Sequence, residues 1–418
     1  MKLLVLAYFF PPLGGAGVQR TLKFVRYLPD FGVRPTVVTA HETGYWIRDA
    51  TLTKEIPKSV TVHRVKNPIP MGGGGKGKRR STSWIRGLRW VAGLGLVPDA
   101  YLPWSLLAGR CATQILRREP DHILWTTSSP DSTHLAGLRL CRKFDIPWVA
   151  DFRDPWTQRL SFAPPTAIHK KIHHSMEKAV IERADKIIVT SYMTREDFVG
   201  RYPSIDPGKF VVLTNGFDEG DFRDFKTELP PECFRILHLG QLNPERPLQP
   251  LLEPLSQLLR RRPEAKKDIE LVCVGPHYAT HEAEALRAGV EGHVRFLPPC
   301  RHREGVAWLG TAHLLLLLEQ EGERGRLILP GKFWEYLRSG RPLLTLADPE
   351  GDAVRLTRDL GAGWAFSPRS GVEILDCLES RWQTFREGKT EHGAQREDLA
   401  PFERKALTHQ LFDILKEL

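Results

Sequence analysis

Short apolar runs recur along the chain and alternate with segments whose apolar residues fall at helical spacing. Leu3 to Phe9 is a first such run, and Val18, Leu22, Val25 and Leu28 then mark one face of a helix. After the turn around Phe31-Gly32 a second strand is expected over 36–39. Further strands are predicted at 122–126, 147–150, 186–190 and 210–213. Strands separated by helices predict a parallel sheet with helices on both faces.

The pattern then restarts. Strands are expected at 234–239, 269–274, 294–296, 313–318 and 342–346, again with helical segments between them. At 418 residues the chain exceeds one ordinary hydrophobic core. The expected division is an N-terminal domain over 1–218, a linker over 219–233 rich in Asp, Glu and Pro, a C-terminal domain over 234–397, and a closing amphipathic helix within 398–418. The fold class predicted is α/β, with one Rossmann-like fold used twice.

Composition adds exclusions. With 41% hydrophobic and 26% charged residues the chain reads as globular. Its six cysteines are scattered without a C-x-x-C pair, which predicts free thiols in a reducing compartment and no zinc site. The run after Lys2 meets Pro11 and Pro12 with no small-residue cleavage site, so a buried strand is expected and not a leader. No stretch approaches the ~20 apolar residues of a membrane span.

The net charge of +10 is localised: between Ile56 and Pro98 stand nine Lys or Arg residues and no acid. Within this part, 71–97 joins a glycine- and lysine-rich stretch to Trp84, Ile85, Leu88, Trp90 and Val91 interleaved with Arg86 and Arg89. It is expected to lie on an anionic membrane surface. No nucleic-acid partner is expected.

Two segments point to phosphate chemistry. The loop Pro11-Pro12-Leu13-Gly14-Gly15-Ala16-Gly17 joins a strand to a helix, where glycine lets backbone N–H groups approach a negative ligand. It is not G-x-G-x-x-G, and no acid closes the second strand, so a dinucleotide is disfavoured. The segment from Pro330 to Pro342 opens a helix at Pro330-Gly331 and ends it at Gly340. Gly331 and Lys332 would meet a phosphate, and Glu335, about one turn on, the two hydroxyls of a ribose.

Together with Asp151-Phe152-Arg153-Asp154-Pro155-Trp156, Thr214-Asn215-Gly216-Phe217-Asp218, Leu239-Gly240-Gln241 and Val274-Gly275-Pro276, these segments resemble the retaining family 4 glycosyltransferases of the GT-B fold. The resemblance implies two Rossmann-like domains facing across a cleft, the first on the acceptor side and the second binding a nucleoside-diphosphate sugar. It implies a cytoplasmic enzyme, peripheral at the membrane, that needs no metal or cofactor and uses a lipid-linked or glycan acceptor. Glu335 matches the second glutamate of the family's E-x7-E signature, Arg246 a cation for the donor diphosphate, and Gly275 the glycine beside the nucleobase. Gly15 and Gly17 match the loop facing phosphates and acceptor, and Gly240 and Gln241 the turn before Arg246.

Some positions depart from the family. Gln241 stands where an arginine is usual, and Leu327 where the first glutamate of E-x7-E would fall, with Glu321 or Glu323 as substitutes. Arg153 and Asp154 follow the strand after which the family has a histidine, as in a divergent D-F-R-D-P-W subfamily. His134, Arg153 and Asp154 are the candidate catalytic residues; His134 reads equally as a structural histidine, and Asp151 and Asp154 as ion-pair partners of Arg153. His169, His173, His174 and Glu177 have metal-ligand spacing on a helix, but their lysine neighbours favour a solvated face. Alternatives are an epimerase or phosphorylase on the same scaffold, or a non-catalytic nucleotide- or lipid-binding assembly protein.

Overall fold

The continuously apolar runs become strands buried on both faces, as parallel sheets require. The computed structural model describes residues 1–41, 48–68, 96–244 and 246–418. Most of the expected membrane-facing stretch, including Lys76, Lys78, Arg79, Arg80, Arg86 and Arg89, lies outside the described residues. The chain divides into two units, Met1–Thr214 with Arg404–Leu418, and Asn215–Glu403.

The first unit carries β1 (Lys2–Leu6), β2 (Arg34–Ala40), β3 (Thr61–Val65), β4 (His122–Thr127), β5 (Trp148–Phe152), β6 (Lys186–Val189) and β7 (Phe210–Val212). They form one parallel sheet in the order β3-β2-β1-β4-β5-β6-β7. Around it lie α1 (Ala16–Tyr27), α2 (Leu102–Arg118), α3 (Ser132–Phe144), α4 (Ala167–Arg183) and α5 (Tyr192–Arg201).

The second unit repeats the plan. Its strands are β8 (Phe234–Leu239), β9 (Ile269–Val274), β10 (Val294–Leu297), β11 (Leu314–Leu318), β12 (Leu343–Leu346) and β13 (Gly363–Phe366), in the parallel order β10-β9-β8-β11-β12-β13. Its helices are α6 (Gln249–Arg261), α7 (Ala279–Ala288), α8 (His302–Leu309), α9 (Gly331–Arg338), α10 (Asp352–Asp359) and α11 (Gly371–Arg386). The closing helix α12 (Arg404–Lys416) returns to the first unit, where Leu407, Leu411, Ile414 and Leu415 join its core.

Both units are Rossmann-like. In each sheet the strand order reverses once, between β1 and β4 in the first unit and between β8 and β11 in the second. Ligands of open α/β sheets bind outside the carboxyl ends of strands at such switch points. Residues 219–233, read from sequence as a linker, belong to the second unit, with Phe217 and Phe222 buried in its core. Among the described residues no helix is long and apolar enough to cross a membrane.

Candidate functional site

In the second unit the switch point is framed by the turn after β8 and the end of β11. The β8 strand leads into Gly240, whose φ of +112° places it in a region that L side chains rarely adopt. Gly275, after β9, has φ +140°, and a Cβ there would meet the Gly240 carbonyl oxygen at 2.4 Å. The two loops pack backbone to backbone, which only glycine at 275 permits.

Helix α9 is fastened to this turn. Phe333, Trp334, Tyr336 and Leu337 are buried, which fixes the helix on its apolar face. The Tyr336 hydroxyl accepts from Leu239 N at 2.7 Å and donates to Leu239 O at 3.1 Å. The first turn of α9, with Gly331 and Lys332, is thereby held beside Gly240: a Cβ on Gly240 would lie 3.7 Å from Lys332 Cδ. Unpaired helix-start N–H groups and a lysine are the elements of an anion site.

The charges here are arranged in two groups. Glu319 follows β11 directly, is buried, and forms an ion pair with Arg246 at 2.7 Å. Lys332 Nζ lies 3.2 Å from Nε2 of His238, which is wholly buried in β8. Burial pushes the Lys332 amine down to about 7, Glu319 opposing and Arg246 adding to the shift. Burial likewise raises the Glu319 carboxyl, against the pull of Arg246 and Lys332, and holds His238 well below the usual histidine range.

Glu335 is the second group. Its side chain is 23% exposed and accepts a hydrogen bond from His302 Nε2 at 2.8 Å, while His302 Nδ1 lies 3.9 Å from Asp221. The carboxylate is therefore drawn to the unit's partly buried edge and not onto an open outer surface. Gln241 is exposed beside Gly240. Leu327 is buried, Glu321 binds Ser367 and pairs with Arg369 at 2.7 Å, and Glu323 is exposed. Sequence reasoning missed Glu319, His238 and His302; only Glu319, an acid ending an all-leucine strand, carried a visible signal.

The first unit's switch point is built differently. Asp151, expected as a possible partner of Arg153, instead receives Arg20 through Nε at 3.1 Å and Nη2 at 2.8 Å, and Thr127 Oγ1 at 2.9 Å. Arg20 also donates to Thr214 O at 2.7 Å. Arg153 donates to the Gly17 carbonyl, and its guanidinium stands where a Cβ on Gly17 would be, at 2.9 Å. Asp154 and Gly15 are exposed.

His134 is wholly buried in α3. Its ring stacks on Phe152 with centroids 4.4 Å apart, and Nδ1 lies 2.8 Å from Thr126 Oγ1. Burial brings it down to about 3, so the ring is neutral at physiological pH. Next to it Asp131 is buried against Arg159 at 2.7 Å, and burial raises its carboxyl to about 7, with Asp99 adding to the shift.

The histidine-rich helix α4 is corrected in part. His173 and Glu177 do not face solvent: Trp156 Nε1 donates to His173 Nδ1 at 3.0 Å, and Glu177 accepts from Thr157 N and Oγ1, both at 2.9 Å, and from Tyr202 at 2.6 Å. Among the described residues no cluster of His, Cys, Asp and Glu is placed to hold a metal. The cysteines are all unpaired, with Cys141, Cys273 and Cys377 buried.

Comparison with known proteins agrees with this architecture. Residues 14–220 match the family described as Glycosyltransferase Family 4. Curated relatives include the D-inositol 3-phosphate glycosyltransferase of Nocardioides sp., 27% identical over 222 residues, 48% of this chain and 47% of that one. The chain spans about a third to a half of the length of the curated relatives it matches. Among solved structures, sucrose-phosphate synthase from Thermosynechococcus elongatus superposes with a TM-score of 0.69 at 14% identity, over 100% of this chain and 98% of that one. HepE from Anabaena, in complex with UDP-glucose, gives 0.64 at 16% identity with both chains fully covered. These likenesses establish the GT-B fold with its two Rossmann-like domains, and the comparisons together support glycosyltransferase family 4.

Proposed function

We propose that the chain is a glycosyltransferase that moves a sugar from a nucleoside diphosphate to a lipid-linked or glycan acceptor. One observation supports the reading: Gly240, Gly275, Arg246 and Lys332 lie about the switch point of the second unit, with Glu335 about one turn further along α9. In this reading the donor diphosphate lies against the α9 N-terminus, Arg246 and Lys332, with Gln241 in the adjoining turn. Glu335 exchanges His302 for the ribose hydroxyls, and Gly275 admits the base.

Rupture of the sugar–phosphate bond builds negative charge on the leaving diphosphate. Fixed cations and helix-terminal amides stabilise that charge where it develops. No protein nucleophile or metal is assigned, and retention of configuration is the expected outcome. Gly15, Gly17, Arg153, Asp154 and His134 belong to the acceptor side of this reading. The enzyme would work at the cytoplasmic face of a membrane, with the basic segment 71–97 on anionic lipid.

HepE was solved with UDP-glucose, which makes uridine the first base to test. A thermal-shift series with UDP, GDP and ADP at about 100 times Kd should stabilise the protein by ~2.7 kcal/mol with one of them. That corresponds to roughly 5–10 °C for a unit of this size. Glu335→Ala should abolish the shift; an unchanged shift in the variant would remove the ribose role. The second reading, a non-catalytic nucleotide-binding relative, is favoured by Gln241 and Leu327. It predicts the same thermal shift but no hydrolysis or transfer of a bound nucleotide-sugar.

A further inference from the structure

Lys332 differs from an ordinary anion-binding lysine in where its amine points. The residue starts a helix at the unit's edge, yet Nζ runs inward to His238, which has no exposed surface. The other ring nitrogen of His238, Nδ1, lies 3.1 Å from the carbonyl oxygen of Leu316. A carbonyl only accepts, so Nδ1 carries a proton. Burial holds the ring well below the usual histidine range, so the imidazole is neutral, Nε2 presents a lone pair, and Lys332 is the donor.

The other groups facing the amine come from every neighbouring element. Glu319 at the end of β11 is buried and paired with Arg246 from the loop after β8. Cys273 of β9 is buried. The Tyr336 ring, one turn on within α9, lies 6.0 Å from Nζ. Glu335 of the same helix is engaged by His302. With Lys332 protonated, Glu319 is already paired with Arg246, Lys332 lies against a neutral imidazole, and one positive charge is left over. A buried excess charge is costly unless it is neutralised, either by losing its proton or by gaining a counter-charge.

We propose that this chain binds its donor diphosphate together with one proton, taken up by Lys332, and that His238 and Glu319 are the positioning residues for that uptake. The inference rests on the donor-site reading above. The proton comes from solvent and adds to the Nζ lone pair; no other bond forms or breaks. His238 supplies an acceptor without adding charge, and Glu319 both holds Arg246 and keeps Lys332 protonatable. The free protein thus holds a part-neutral lysine, and the bound one a full cation against the diphosphate.

Isothermal titration calorimetry of the full chain with UDP-, GDP- and ADP-glucose, in buffers of different ionisation enthalpy, measures the protons taken up. The diphosphates of these donors do not titrate near neutrality. For the donor that binds, uptake should exceed about half a proton at pH 8 and fall close to none at pH 6, since the amine of the free protein titrates near 7. Lys332→Met should remove the uptake. Glu319→Gln should increase uptake at pH 7 and weaken binding roughly tenfold, the effect of one further unit in the amine's titration. Binding without uptake, or uptake unchanged in Lys332→Met, overturns this inference and leaves the donor site standing. No binding of any of the three overturns both.

Discussion

At the β1/β4 switch point of the first unit each of the two buried acids has an arginine of its own: Arg20 clasps Asp151 and Arg159 pairs with Asp131, while the neutral His134 stacks on Phe152. At the β8/β11 switch point of the second unit the buried Glu319 pairs with Arg246, while the second cation, Lys332, lies against the neutral His238. One strand order therefore serves two purposes. In the first unit the polar groups at the carboxyl ends of the central strands brace the scaffold. In the second they leave positive charge beside Gly240, and the proposed donor site rests on it.

The largest expected effect breaks the cancelled pair. Arg20→Met leaves Asp151 buried with Thr127 as its remaining partner, and should destabilise the first unit by roughly 3–5 kcal/mol in chemical denaturation. A loss below about 1 kcal/mol would show that the pair is not what braces the switch point.

Next in size is the pH response of Asp131. Its folded carboxyl titrates near 7 against an ordinary value of 3.8. Well below pH 3.8 both folded and unfolded states are protonated and no penalty exists. As pH rises from about 4 to 7 the unfolded state loses its proton first, so stability falls by up to ~1.4 kcal/mol per pH unit. His134 acts in the opposite sense: its depressed titration contributes stability above about pH 6.5 that is lost as pH falls towards 3. The difference between wild type and Asp131→Asn isolates the acid. The variant should be the more stable above pH 7, by several kcal/mol, with the gain vanishing near pH 4. A gain independent of pH would contradict the assignment.

A smaller effect is expected in the second unit. Tyr336→Phe removes both hydrogen bonds to Leu239 and should cost about 1–2 kcal/mol. If the fastening of α9 matters to the anion site, nucleotide affinity should fall with it. Unchanged affinity would separate the helix anchor from binding.

Most of this architecture is legible in the alternation of apolar runs with helical spacing. The two strands the pattern did not reveal are both sheet edges. In β3 the run Thr61-Val62-His63-Arg64-Val65 mixes polar and apolar residues because one side of the strand has no neighbour. In β13, Gly363-Trp364-Ala365-Phe366 is too short and too glycine-led to read as a strand. Edge positions relax the apolar requirement that makes central strands such as Leu314–Leu318 visible.

The candidate site shows in the sequence where chemistry follows local pattern and not where it depends on contacts at long range. Lys332 and Glu335 stand out because a helix that opens at Pro330-Gly331 presents them. Their partners His238 and His302 lie 94 and 33 residues away, and nothing in their own neighbourhoods marks them. The pairing of Asp151 with Arg20 instead of Arg153 has the same origin, since it spans 131 residues. Spacing suggests the nearest cation, whereas the fold supplies the one across the sheet.

The central claim is that a donor nucleotide binds at the end of β8, β9 and β11. Photolabelling the full chain with 5-azido-UDP-glucose and mapping adducts by mass spectrometry tests it directly. The account predicts adducts within 240–250, 275–300 or 319–340, suppressed by excess UDP-glucose and absent in Glu335→Ala. Adducts confined to residues 1–214, equally strong in that variant, would contradict it.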